Sequence, residues 1–179
     1  MTKDNIVIKY EGKFLRFIDN HTWEYVERAN CNGAVAIISM NEKNEVILIE
    51  QFRKPIGKNV IEFPAGLVSD SGIEEKIEAA ALRELEEETG YLAEKVTFLT
   101  SGPTAPGLTT ELISFVLAEN LKKVSKGGGV ESEEIVVHEI PLENIQSWLA
   151  LKQNEGLLVD MKVYGGLYFL KLYLDKKII

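Results

Sequence analysis

The stretch RELEEETGY, residues 83–91, sets three carboxylates on one side of a helix. At ~100° per residue, positions three and four apart return to nearly the same face, so Glu84, Glu87 and Glu88 point together. Like charges at that spacing repel and weaken a helix unless a cation sits among them. Oxygen-only ligation suits hard divalent ions such as Mg2+, which commonly bridge protein carboxylates to phosphates. The plain alternative is an acidic face that only meets water. The surrounding composition, rich in Ala, Leu and Glu, predicts a helix from about residue 73 to Thr89, closed by Gly90.

Working outward, the 179 residues carry 20 Lys plus Arg against 28 Asp plus Glu, a net charge of -8. That balance argues against a nucleic-acid backbone as partner, because affinity for polyphosphate chains comes from cations displacing counterions. A small phosphate ester can still bind if divalent ions lie between it and the carboxylates. Cys31 is the only cysteine, and His21 and His138 are the only histidines, so neither an intramolecular disulfide nor a Cys/His zinc cluster can be built. The opening MTKDNIVIKYEGKF has no apolar core of signal type, and no stretch approaches the ~20 apolar residues of a membrane span. The expectation is a soluble cytoplasmic protein.

Before the helix, residues 6–10, 13–18 and 22–29 read as three short strands separated by turn residues. They are too few to bury a core alone, so residues 1–32 are expected to be an appendage that packs on the rest of the chain, residues 33–179, or on another copy. GAVAIISM (33–40) and EVILIEQF (45–52) read as central strands joined by a polar hairpin turn at residues 41–44. After the helix, KVTFLTSG (95–102), ELISFVLAENL (111–121) and EEIVVHEI (133–140) read as strands. PLENIQSWLALKQN (141–154) and DMKVYGGLYFLKLYLDKK (160–177) read as helices, the last amphipathic. The fold class is α/β, with a mixed β-sheet flanked by helices. The glycine run in KGGGVESEE (126–134) predicts a mobile loop ending in acids.

With PAG at residues 64–66 just ahead of it, RELEEETGY resembles the signature of the Nudix hydrolase family. That signature has a glycine, a glutamate six residues later, and an Arg-Glu-aliphatic-any-Glu-Glu-any-Gly core eight residues beyond the glutamate. Arg83, Glu84, Leu85, Glu87, Glu88 and Gly90 fill the core. The front half departs from it: sixteen residues separate Gly66 from Arg83 where the signature has thirteen, which reads as a three-residue insertion in the loop entering the helix. Glu75 keeps the eight-residue offset, but Ser69 stands six residues before it, so Glu74, Glu75 and Glu78 all stay open for the first-glutamate role. EQFRKPIGKNVIEFPAG (50–66), TWEYV (22–26), and Pro106, sixteen residues past Gly90, are similar to the ADP-ribose pyrophosphatase branch.

The resemblance implies a Nudix-type α/β/α sandwich and Mg2+-dependent hydrolysis of ADP-ribose to AMP and ribose 5-phosphate, with Mn2+ as a substitute metal. The alternatives are another nucleotide diphosphate sugar, such as ADP-glucose or GDP-mannose, or a module that binds ADP-ribose without cleaving it. It implies Glu84, Glu88 and the Ala65 carbonyl as metal ligands, Glu87 as a further ligand or a partner of Arg83, and Arg83 as the residue that orients glutamates. Glu133 is the first choice for catalytic base, with Glu131 and Glu134 behind it. Trp23 would stack on adenine, unless it is a core residue of the small sheet. Arg53 would fork onto phosphate, and Glu111 would lie near the terminal ribose. His138 and Cys31 read as structural. The branch implies a homodimer in which the N-terminal strands, Trp23 among them, help shape the neighbouring subunit's site.

Overall fold

The computed structural model describes residues 6–69, 74–130 and 134–177. Three sheets and three helices are present among them. The N-terminal strands β1 (Val7–Glu11), β2 (Leu15–Asp19) and β3 (Glu24–Arg28) form an antiparallel sheet in the order β1-β2-β3. The next strands are β4 (Ala34–Ser39), β5 (Glu45–Arg53), β6 (Lys58–Glu62) and β7 (Ala65–Leu67), followed by helix α1 (Ile77–Thr89). Then come β8 (Tyr91–Pro103), β9 (Leu112–Lys123), β10 (Ile135–Pro141), α2 (Ile145–Asn154), β11 (Leu158–Val159) and α3 (Met161–Leu174).

The body holds two four-stranded mixed sheets, β7-β4-β9-β8 and β10-β5-β6-β11, rather than the single sheet expected. β4 pairs in parallel with β9, and β6 with β11; the other pairs are antiparallel. The apolar run of β4 is buried at every residue because it is covered on both faces. Val35 and Ile37 join Ala80, Ala81 and Leu85 of α1 in one core. Ile38 faces the other way, into a core with Leu149 of α2 and Leu167 and Leu170 of α3. β5 splits likewise, Ile47 to the α1 side and Leu48 to the other. Helices therefore cover both sides.

The polar turn at residues 41–44 forms as expected. Asn41 Oδ1 accepts from the N–H groups of Lys43 and Glu45, both at 3.0 Å. The strands it joins do not make a hairpin, however, since β4 and β5 enter different sheets and the Met40–Val46 bridge between them is isolated. The helix α1 also starts later than expected, at Ile77 rather than near residue 73. Glu75 is held outside it, where its N–H donates to Ser69 Oγ at 2.9 Å. Gly90 closes the helix in the left-handed conformation, donating to Glu86 O at 2.8 Å.

β3 ties the N-terminal sheet to the body. Val26 N–H donates to Leu108 O at 2.9 Å and Val26 bridges Thr109. Exposed apolar side chains, among them Ile8, Tyr10, Phe14 and Trp23, are concentrated on this sheet. No helix of the described residues is long and apolar enough to cross a membrane.

Candidate active site

A cleft of about 440 Å3 opens where the three sheets meet, lined by Glu84 and Glu88 of α1, by Ala65, Gly66 and Leu67 of β7, and by Ala34 and Ile113. Gln51, Arg53 and Glu62 come from the β5–β6 pair, Arg28 from β3, Glu111 from the turn before β9, and Lys162 from α3. The PAG segment, Pro64 and the first two residues of β7, sits against α1 through two contacts. Glu88 is buried and its Oε2 accepts from Ala65 N–H at 2.9 Å. The Glu84 carboxylate lies over Gly66, so close that a Cβ there would stand 1.9 Å from Oε1. Only glycine fits beneath that carboxylate.

Arg83 organises the first acidic layer. Its Nε and Nη2 donate to the two oxygens of Glu75 at 3.3 and 3.2 Å, Nη1 donates to Glu84 at 2.7 Å and to Glu87 at 3.5 Å, and Nη2 also reaches Leu67 O at 3.2 Å. The hydrogen bond from Arg83 holds Glu75 below the usual carboxylate range. Of the three glutamates left open by the sequence, Glu75 is the one that pairs with Arg83. Ser69, six residues before Glu75, has a φ of 63°, the left-handed conformation that glycine adopts most easily.

Glu87 is placed differently from its neighbours. It is held by Arg83 and does not line the cleft. Among the described residues no three carboxylate, cysteine or histidine side chains form a ready cage for a metal. Mg2+ does not need one, since it is commonly held by one or two carboxylates plus substrate phosphates and keeps several waters. Glu84 and Glu88, two carboxylates lining one cleft with the PAG segment, fit that ion.

Arg28, Arg53 and Lys162 bring cations to the same cleft. Arg53 Nε donates to Glu62 Oε2 at 2.6 Å, and burial pushes the Glu62 carboxyl up against the opposing pull of Arg53. Arg28 Nε donates to Glu111. Glu111 therefore belongs to the cleft as an arginine partner. Arg28, Gln51, Glu62 and Lys162 were not singled out by sequence reasoning. Only Glu62 carried a signal, as a charge inside the apolar run of VIEF, where burial demands a partner.

Trp23 does not line this cleft and is not a core residue either. It is 58% exposed, with Nε1 donating to Gly107 O at 3.0 Å. His138 Nε2 lies 3.1 Å from Glu50 and its ring packs on Trp148, a structural setting. Glu131 and Glu133 lie outside the described residues, while Glu134 is exposed just before β10. The glycine run ahead of them is docked on the end of α1. Gly128 N–H donates to Glu88 O at 2.9 Å and Gly129 N–H to Glu87 O at 3.0 Å. Gly127 has φ 66°, and a Cβ there would meet the backbone of Thr89 and Glu88 at 2.4–2.6 Å. These glycines serve close approach.

The NUDIX domain family model matches residues 32–161. The chain is 35% identical over 141 residues to a methanol dehydrogenase activator from Bacillus methanolicus, covering 78% of this chain and 72% of that protein. It is 38% identical over 142 residues to an ADP-ribose pyrophosphatase from Bacillus subtilis (strain 168), with the same two coverages. A crystal structure described as an ADP compounds hydrolase superposes with a TM-score of 0.73 at 21% identity, covering 97% of this chain and 94% of that one, which is a likeness of fold. With the family model spanning most of the chain and the core RELEEETG built into α1 beside the PAG segment, the chain belongs to the Nudix hydrolase family.

Proposed function

We propose that this chain is a nucleoside diphosphate sugar pyrophosphatase that hydrolyses ADP-ribose to AMP and ribose 5-phosphate. One observation carries the reading: a single cleft is lined by the carboxylates Glu84 and Glu88 and by the arginines Arg28 and Arg53. A diphosphate bridges those two kinds of group once divalent cations cover the carboxylates. Similarity to the Bacillus subtilis ADP-ribose pyrophosphatase supports ADP-ribose, with GDP-mannose as the alternative.

In this reading Glu84, Glu88 and the Ala65 carbonyl hold Mg2+, for which Mn2+ can substitute, and Glu87 is the partner of Arg83. When bound, the ion neutralises phosphate oxygens and lowers the pKa of a water. Arg83 steers Glu84 and Glu87. Arg53 and Arg28 grip phosphate oxygens through their forked N–H groups, and Glu111 aims Arg28. Glu133 takes the proton of the attacking water, with Glu131 and Glu134 as alternatives. The exposed apolar face of the N-terminal sheet supports a homodimer, with residues 1–32 as the dimer-forming appendage of a hydrolase domain at 33–179. Trp23 then stacks on the adenine bound by the partner subunit.

The test is hydrolysis of ADP-ribose, ADP-glucose and GDP-mannose with Mg2+ and with chelator, alongside Glu88→Gln. Mg2+-dependent release of AMP from ADP-ribose, faster than turnover of the other two and lost in the variant, is expected. Preference for GDP-mannose would overturn the substrate assignment. Binding of ADP-ribose without turnover of any member would overturn the enzymatic reading and leave a binding module.

A further inference from the structure

The Arg53–Glu62 pair is costly where it stands. In the β5–β6 ladder Glu62 sits opposite Ile49, Val60 opposite Gln51 and Lys58 opposite Arg53, and cross-strand partners share a face. Ile49 and Val60 are buried, and the Glu62 side chain is only 8% exposed. A carboxylate in that row gives up its hydration, and an apolar residue of similar size would serve stability as well, because the Arg53 left behind is 39% exposed and stays hydrated. Retaining glutamate there calls for a reason other than stability.

The geometry of the bond supplies one. Arg53 reaches back along the ladder and gives Glu62 its Nε at 2.6 Å. Its two Nη groups have no hydrogen-bond partner among the described residues, and the side chain is 39% exposed into the cleft. A guanidinium anchored through Nε keeps its outer pair of N–H groups for a second, forked contact. Lysine could not be aimed this way, because it has no second nitrogen.

We propose that Glu62 is a positioning residue: it fixes Arg53 through Nε and thereby presents both Nη groups to the diphosphate of the substrate. This rests on the pyrophosphatase reading and adds to it the residue that orients one of the cleft's cations. Glu62 touches no substrate. Its effect passes through Arg53.

The test is a double-variant cycle on the full chain, with ADP-ribose hydrolysis in Mg2+ and calorimetric binding of ADP as readouts. Glu62→Leu should leave the melting temperature unchanged or higher while raising KM, and weakening ADP, about tenfold, with kcat moved far less. Glu62→Gln, which keeps an acceptor for Nε, should recover part of that loss. In an Arg53→Lys background neither change should cost anything further. Equal losses with and without Arg53, or an unchanged KM in a well-folded Glu62→Leu protein, would overturn the inference. If Glu62→Leu does not fold, Glu62→Gln and Arg53→Lys complete the same cycle. A wild-type chain that neither hydrolyses nor binds these nucleotides removes the pyrophosphatase reading itself, whereas an active wild type with multiplying losses removes only the role of Glu62.

Discussion

Replacing Gly66 by alanine separates function from stability more cleanly than removing a carboxylate. The added Cβ would stand 1.9 Å from both Cδ and Oε1 of Glu84 and 2.2 Å from its Cγ, where ordinary contact begins at 3.4 Å. The carboxylate must therefore retreat by about 1.5 Å, and misplacing a reacting or ligating group by ~1 Å can cost about 100-fold in rate. Folding should barely respond. The colliding atoms are the end of a side chain that can swing away, and Gly66 does not occupy a left-handed conformation. Alanine also removes about 0.4–1 kcal/mol of unfolded-state entropy, so the melting temperature should stay within ~4 °C of wild type. The assay is kcat/KM for ADP-ribose at a series of Mg2+ concentrations, with thermal melts beside it. Gly102→Ala is the control, since a Cβ there meets nothing within 4 Å. A Gly66→Ala protein with wild-type turnover and unchanged Mg2+ dependence would refute the placement of Glu84 as functional.

Glu88→Gln should lower kcat/KM by about 100-fold or more, with near-native melting, because the amide oxygen can still accept from Ala65 N–H; full activity in steady-state assays would contradict its role. Glu75→Ala should cost about tenfold by freeing Arg83, while Glu74→Ala and Glu78→Ala change little; parity among the three would return the first-glutamate assignment to doubt. Gly127→Ala collides with backbone that has no room to yield, so it should destabilise by about 2 kcal/mol, a loss of about 4–8 °C read by calorimetry. Acid stability follows from Glu75 and Glu139, whose hydrogen bonds from Arg83 and Lys123 hold them below the usual carboxylate range. The folded chain then binds those protons less readily than the unfolded one, so the stabilisation is complete above the unfolded pKa and is lost as pH falls through the folded values. Urea midpoints should decline below about pH 4; a midpoint that holds to pH 3 would show that neither pair stabilises the fold.

Much of this arrangement is legible in the chain because it depends on local rules. The spacing of Glu84, Glu87 and Glu88, the stop at Gly90 and the turn chemistry of Asn41 all act within a few residues, and all form where expected. The partition of β4 and β5 between two sheets is different. It is decided by β9, which comes more than 70 residues after β4, and by β10, later still, and nothing in the turn between β4 and β5 records it. Arg28 and Lys162 are single cations on a strand end and a helix start, brought to the cleft by tertiary packing. The left-handed backbone of Ser69 is not legible either, because its residue type gives no sign of it. Glu87 shows the limit of helical periodicity: it shares a face with Glu84 and Glu88, yet it pairs with Arg83 and does not line the cleft.

The cleft draws its walls from β3, from the β7–β4 pair and from the β5–β6 pair, which belong to three separate sheets. A ligand seated there acts as a cross-brace between parts of the chain that share no common ladder. Its binding energy would be added to the cost of prising the sheets apart, about 2.7 kcal/mol at a hundred times its dissociation constant. Slowed amide exchange should then spread to strands on every side of the bound molecule. A library of nucleotides could be ranked by that bracing alone, before any product is measured.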